Sequence, residues 1–160
     1  MTSRGDADIV AFVYHEARLV DEKRLGEWYE LYTDDARYWI PLTRNQPDGY
    51  THTSLMFEDK LLLRVRVERL RNPRSYSQQQ PSYCQHVLQT PEIDSRGADG
   101  KSWVTRTPFF YMESQLDSQI TLAGVSWLHL VEIEGQLRIR LKKVELLNCD
   151  AALPSIQLFP

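Results

Sequence analysis

Cys84-Gln85-His86 sets a thiol and an imidazole two residues apart. This Cys-x-His step is half of the pattern that holds a Rieske iron–sulfur centre, where two cysteines bind one iron and two histidines the other. The second half would read Cys-x-x-His. The only other cysteine, Cys149, is followed by Asp150-Ala151-Ala152, and no histidine lies beyond it. The motif is incomplete, and Cys84 reads as a half-buried strand residue. His15, His52, His86 and His129 show neither the i, i+4 spacing of a helical zinc site nor a His/His/carboxylate triad spacing. Each reads as a packed or surface histidine, so no metal or cofactor is expected in this chain. There is no glycine-rich phosphate loop and no Gly-x-Ser-x-Gly elbow. One further chemistry needs only a pocket. An Asp, Tyr or His walled in by apolar side chains has a shifted pKa and can serve as a general acid or base. Asp35, Tyr38, His86 and His129 are the candidates for it. The plainer reading is that Asp34-Asp35 ends a helix and Tyr38 packs in the core.

The chain that must position these residues has 160 residues, which points to a single domain over 1–160. A chain of this length buries roughly 68–70% of its unfolded surface, enough for a real core. With 42% apolar and 26% charged residues it reads as globular, not disordered. No apolar run approaches the roughly 18–20 residues of a membrane span. The opening Met1-Thr2-Ser3-Arg4-Gly5-Asp6 lacks the basic lead and apolar block of a secretory signal. The expected location is therefore the cytoplasm, with both thiols free. The 19 basic and 22 acidic side chains leave a formal net charge of −3, which argues against nucleic acid as a partner. Fourteen of the 19 bases are arginine, the residue suited to fixed bidentate pairs and interfaces. They cluster at Arg64, Arg66, Arg69, Arg71 and Arg74, while residues 1–36 hold nine acids against four bases. The two segments either pair with one another or form a charged partner surface.

Ile9, Phe12, Val13, Ala17 and Val20 follow a helical rhythm, with Asp6 or Asp8 as cap. Asp21 sits where a second helix would need its N-cap. Leu25, Trp28, Tyr29 and Tyr32 form that helix's stripe, and Thr33-Asp34-Asp35 stops it. Residues 36–42 read as a strand, placed at an edge by Pro41. Residues 43–54 form a loop. Residues 55–70 fit a strand or a helix equally well, since Leu63, Val65 and Val67 alternate while Leu63, Val67 and Leu70 keep helical spacing. Residues 71–82, with Pro73, Pro81 and Gln78-Gln79-Gln80, read as an exposed loop. Strands follow at 83–90, 103–115, 119–133 and 136–147. Residues 91–100 are a polar connection, with turns at Leu116-Asp117-Ser118 and Glu134-Gly135. In the last strand the apolar phase slips from Leu137, Ile139 and Leu141 to Val144 and Leu146, which places a bulge at Lys142-Lys143. Helices first and strands later make an α+β fold, a curved antiparallel sheet closing over N-terminal helices as a cone.

Four segments in order resemble one family. Glu16-Ala17-Arg18-Leu19-Val20-Asp21, with Trp28-Tyr29-Glu30-Leu31-Tyr32 and Tyr38-Trp39-Ile40-Pro41, resembles the start of the small (β) subunit of bacterial aromatic-ring-hydroxylating dioxygenases. Residues 58–70, Glu-Asp-Lys-Leu-Leu-Leu-Arg-Val-Arg-Val-Glu-Arg-Leu, resemble its central segment. Residues 137–148 resemble its closing strand, and Ile156-Gln157-Leu158-Phe159 its ending. The resemblance runs from about residue 6 to 160. It implies the cystatin-like cone shared with nuclear transport factor 2 and ketosteroid isomerase, with residues 57–70 helical. It also implies a structural subunit, itself without catalytic residues. Its partner would be a large (α) subunit carrying a Rieske [2Fe–2S] cluster and a mononuclear Fe(II), in an α3β3 assembly. NAD(P)H electrons would arrive through a reductase, with or without a ferredoxin, for O2-dependent dihydroxylation of aromatic rings in catabolism. The alternative is a stand-alone cone isomerase or dehydratase using Asp35, Tyr38 or a histidine. As interface candidates the reading names Arg64, Arg66, Arg69 and Arg71, and from the apolar tail Ile156, Leu158 and Phe159. Such a tail is costly in water and should dock on its own domain or on a neighbour.

Overall fold

The computed structural model describes residues 4–75 and 80–160. The Gln78-Gln79 part of the glutamine run and the residues before Arg4 lie outside this range. The first helix, α1, spans Asp6–Asp21 and buries Ile9, Val13, Ala17, Leu19 and Val20, together with Glu16. Its N-cap is Gly5, not Asp6 or Asp8, although the Asp8 carboxylate accepts from the Gly5 amide at 3.3 Å. Asp21 is the last residue of α1 and does not cap the next helix, α2 (Leu25–Glu30), whose N-cap is Arg24. The corner between the two helices is turned by Lys23, with φ of 57°.

Strand β1 runs Tyr32–Pro41, so Thr33-Asp34-Asp35 belongs to the strand and does not stop the helix. The ambiguous stretch contains both elements: β2 (Ser54–Asp59) pairs antiparallel with β1, and α3 (Lys60–Arg71) follows directly. The Asp59 carboxylate accepts from the Leu62 amide at 2.9 Å and so fixes the start of α3 at residue 60 instead of 57. Leu63 and Val67 face the core as helical spacing requires, with Leu70 partly buried beside them.

Four further strands were expected and five are present: β3 (Tyr83–Leu88), β4 (Glu92–Arg96), β5 (Ser102–Gln115), β6 (Ser118–Ile133) and β7 (Gln136–Leu146). The stretch expected to be only a polar connection contains β4, which pairs antiparallel with β5. The sheet order is β2-β1-β7-β6-β5-β3, with β4 beside β3 on the outer side of β5. Two points differ from the sequence reading. The sheet is mixed, because β1 and β7 run parallel. Strand β1 is also interior, and Pro41 is tolerated because it lies at the strand's end, where the β1–β2 register slips. The β6–β7 hairpin turns on Glu134 and Gly135, both at positive φ (52° and 76°), as a tight two-residue turn requires.

The bulge in β7 lies at Arg140, two residues before the expected place. His129 pairs with Leu141 and Leu130 with Ile139, leaving Arg140 unopposed. Beyond it the inward residues are Lys142, Val144 and Leu146. The lysine masked the phase slip, because an inward lysine does not look like core. Lys142 is inward because Glu16 of α1 meets it, Nζ to Oε1 at 2.7 Å, with both side chains almost wholly buried. The Trp28 indole N–H donates to the same Glu16 oxygen at 2.9 Å.

Candidate functional site

The interior of the cone is filled by the chain itself. Trp28, Tyr32, Tyr38, Tyr111 and Phe159 are all fully buried there. Phe159 stacks on Trp28 with ring centroids 4.3 Å apart and meets Tyr38 edge-on at 5.7 Å. The Tyr38 hydroxyl donates to the Pro160 backbone oxygen. Burial holds the Tyr38 and Tyr32 phenols well above their usual range, with Glu16 adding to the effect. A second carboxylate holds the tail: Glu113 on β5 accepts from the Gln157 amide (2.9 Å), the Leu158 amide (2.6 Å) and the Tyr111 hydroxyl (3.2 Å). Burial raises the Glu113 carboxyl, opposed by the two amide bonds.

The four acid–base candidates do not converge. Tyr38 lies in the core beneath the tail. Asp35 and His129 open onto a groove of about 430 Å³ on the opposite face of the sheet, with Trp39, Phe57 and Arg140. Asp35 is exposed, accepts from the Thr33 hydroxyl at 2.7 Å and lies 3.6 Å from Arg140. The Thr33 bond, helped by Arg140, holds its carboxyl low, a poor setting for a general acid. Burial, helped by the Lys143 charge, lowers His129. His86 is in a third place, on β3 against the end of α1. Aligned groups within hydrogen-bond reach of one substrate are what acid–base catalysis needs, and these are dispersed.

At the α1–β3 corner the structure assembles a cluster that sequence spacing missed. Cys84 and His86 are alternate residues of β3 and share a face, on which α1 packs. There Asp21 accepts from His86 Nδ1 (2.6 Å), the His86 amide (3.1 Å), Gln85 Nε2 (3.0 Å) and Cys84 Sγ (3.5 Å). Burial and the Asp21 charge push the Cys84 thiol up to about 12. The only sequence signal was Cys-x-His, and its third member lies 63 residues from Cys84. The cluster does not fit a Rieske centre: it offers one sulfur, and Cys149 is buried apart from it in the core.

The interface candidates divide. Leu158 and Phe159 are covered within the chain's own fold, so the tail is an intramolecular clasp at these two positions. Ile156 is half-buried and lies with Arg66 and Arg69 along a shallow groove between α3 and the tail. Arg66 pairs with Glu58 at 2.5 Å. Arg64, Arg69 and Arg71 are exposed and make no ion pair among the described residues. The expected pairing between this cluster and residues 1–36 is absent among the described residues. The acids there pair instead with Arg18, Arg24, Arg96, Arg140 and Lys142. The outward face of α3 also exposes Leu61, Leu62 and Val65.

Residues 15–151 match the family described as ring hydroxylating beta subunit. Among curated proteins, the small oxygenase component of the p-cumate 2,3-dioxygenase system of Pseudomonas putida is 27% identical over 150 residues, covering 92% of this chain and 82% of that protein. Among solved structures, the beta subunit of benzoate 1,2-dioxygenase from Burkholderia mallei superposes with a TM-score of 0.75 at 26% identity, covering 92% of this chain and 94% of that one. A candidate scytalone dehydratase from Novosphingobium aromaticivorans shares the fold less closely, with a TM-score of 0.62 at 11% identity over 86% of this chain and 80% of that one. The ordered motifs, the cone and the family match agree, and the chain belongs to the beta subunits of aromatic-ring-hydroxylating dioxygenases.

Proposed function

We propose that this chain is the non-catalytic, structural small subunit of a multicomponent aromatic-ring-hydroxylating dioxygenase. In this reading a large subunit carries the Rieske [2Fe–2S] cluster and the mononuclear Fe(II), and the two assemble as α3β3. Electrons come from NAD(P)H through a reductase, with or without a ferredoxin, and the complex works in the cytoplasm. No helix among the described residues is long and apolar enough to cross a membrane. One observation carries the non-catalytic role: Phe159 and its aromatic neighbours occupy the space where a cone enzyme would hold a substrate. The α3–tail seam supports the assembling role. Arg64, Arg69 and Arg71 have guanidiniums available for a partner's carboxylates, and Leu61, Leu62 and Val65 offer apolar surface between them.

Co-expression with the large subunit tests this. The two chains are expected to co-elute as one brown complex, with the iron on the large subunit. The lone chain should turn over no aromatic substrate, and omission of this chain should cost assembly. Turnover of a ketone or alcohol substrate by the lone chain, or no co-elution, overturns the reading.

A further inference from the structure

We infer that Asp21, Cys84 and His86 form a binding site for a single zinc-type divalent ion at the α1–β3 corner. Among the described residues this is the one cluster where three such side chains converge, their ligand atoms all within 4.8 Å of one another. The set is a thiolate, an imidazole and a carboxylate, which selects a borderline ion such as Zn2+ over Mg2+ or Ca2+. Its two negative charges neutralise the ion's two positive ones. Ligand atoms about a tetrahedral zinc are about 3.3–3.8 Å apart, given bonds of 2.0–2.3 Å. The Cys84 Sγ to Asp21 Oδ1 distance, 3.5 Å, already matches. The His86 Nδ1 to Asp21 Oδ1 distance, 2.6 Å, is that of a hydrogen bond and widens when an ion replaces the proton.

A second observation points to a missing occupant. His86 is 8% exposed, and its Nε2 is buried without a hydrogen-bond partner. Hydrogen bonding alone therefore satisfies only half of this ring. With Nδ1–H donating to Asp21, Nε2 is a buried lone pair facing no donor, an unsatisfied group that burial penalises. An ion that takes Asp21 and Cys84 as ligands meets the ring at Nδ1, the nitrogen that faces Asp21. There it moves the ring proton to Nε2, so that an N–H in place of a lone pair faces the Tyr111 ring, 4.9 Å away between centroids. Binding converts the Cys84 thiol to thiolate and releases one proton to solvent, while the imidazole stays neutral and Asp21 stays ionised. A groove of about 500 Å³ lined by Tyr14, Arg18, Asp21 and His86 gives the ion an entry path and room for a water as fourth ligand.

Titration of the reduced full-length chain with Co2+, whose spectrum reports its ligands, tests the site. Uptake should saturate at one equivalent, with tetrahedral d–d bands and a thiolate-to-cobalt charge-transfer band, both erased by Zn2+. Cys84→Ser should remove the charge-transfer band. Cys84→Ser and His86→Gln should each weaken Co2+ binding at least about tenfold, with far-UV circular dichroism unchanged. Because the wild-type spectrum itself reports sulfur ligation, a variant that fails to fold does not remove the test. Absence of saturable uptake, a spectrum without the sulfur band, or a band that persists in folded Cys84→Ser overturns the assignment.

Discussion

Glu16 and Glu113 are both almost wholly buried carboxylates in the same cone, yet they are held in opposite ways. Glu16 meets a buried cation, Lys142, and the Trp28 indole, all of them parts of the helix–sheet frame. Glu113 meets no cation among the described residues. Its partners are two backbone amides and a phenol, and the amides belong to the tail. Glu16 is therefore fixed by the frame, whereas Glu113 is fixed only while the tail stays docked. A buried charge with a counter-charge is a joint between elements. A buried carboxylate held by the backbone amides of the tail is a latch.

The contrast is broken most severely at Lys142. Lys142→Met leaves Glu16 as an uncompensated buried charge and should cost about 3–5 kcal/mol in urea denaturation. Adding Glu16→Gln should recover much of that loss, and no recovery would mean that the lysine matters for packing alone. Next in size, Phe159→Ala opens a cavity against Trp28 and should cost about 3 kcal/mol. Deleting residues 154–160 should likewise lower the melting temperature of the lone chain more than it weakens association. Unchanged melting with lost association in sedimentation would return the tail to the interface.

The latch itself has a pH signature. Burial raises the folded Glu113 carboxyl above its ordinary 4.5, so the folded state holds that proton more tightly than the unfolded chain does. This contribution is complete below pH 4.5 and declines as pH rises through the folded value. The stability of wild type minus that of Glu113→Gln, measured by denaturation from pH 4.5 to 7.5, should therefore fall with pH. A flat difference would show that the tail amides fully offset the burial. The smallest folding effects belong to the surface. Arg69→Glu and Asp35→Asn should each shift stability by no more than about 0.5 kcal/mol. Arg69→Glu should nevertheless weaken co-elution with the large subunit, while Asp35→Asn should leave turnover of the complex within about threefold. A general acid or base would lose roughly 10²–10⁴-fold.

The helices, the long strands and the cone were legible because each is written in a local period. What escaped was written in pairs. The slip in β7 was placed two residues late because Lys142 looks outward to any reader who does not know of Glu16. Asp21 read as a helix cap because its real partners lie on β3, more than sixty residues on. Strand β4 was missed because it exposes most of its side chains, and Pro41 misled because it ends an interior strand at a slip in register. The tail's need for a dock was visible in its composition, but which surface it would cover was not. The arginine cluster was seen, yet its freedom from the acidic N-terminal segment only appears once those acids are seen with other partners.

The parallel pairing of β1 with β7 has a consequence for how the protein is made. Trp28, Tyr38 and β1 leave the ribosome early, but their cover comes from Ile139, Val144, Leu146 and Phe159. Until β7 and the tail emerge, the aromatic wall of the cone has nothing to close it, and β1 lacks one of its two strand neighbours. Folding of the central core must therefore wait until β7 and the tail have emerged, and pairing so distant in sequence is slow to form. A nascent chain stalled after β6 would present an open, apolar and aggregation-prone cup.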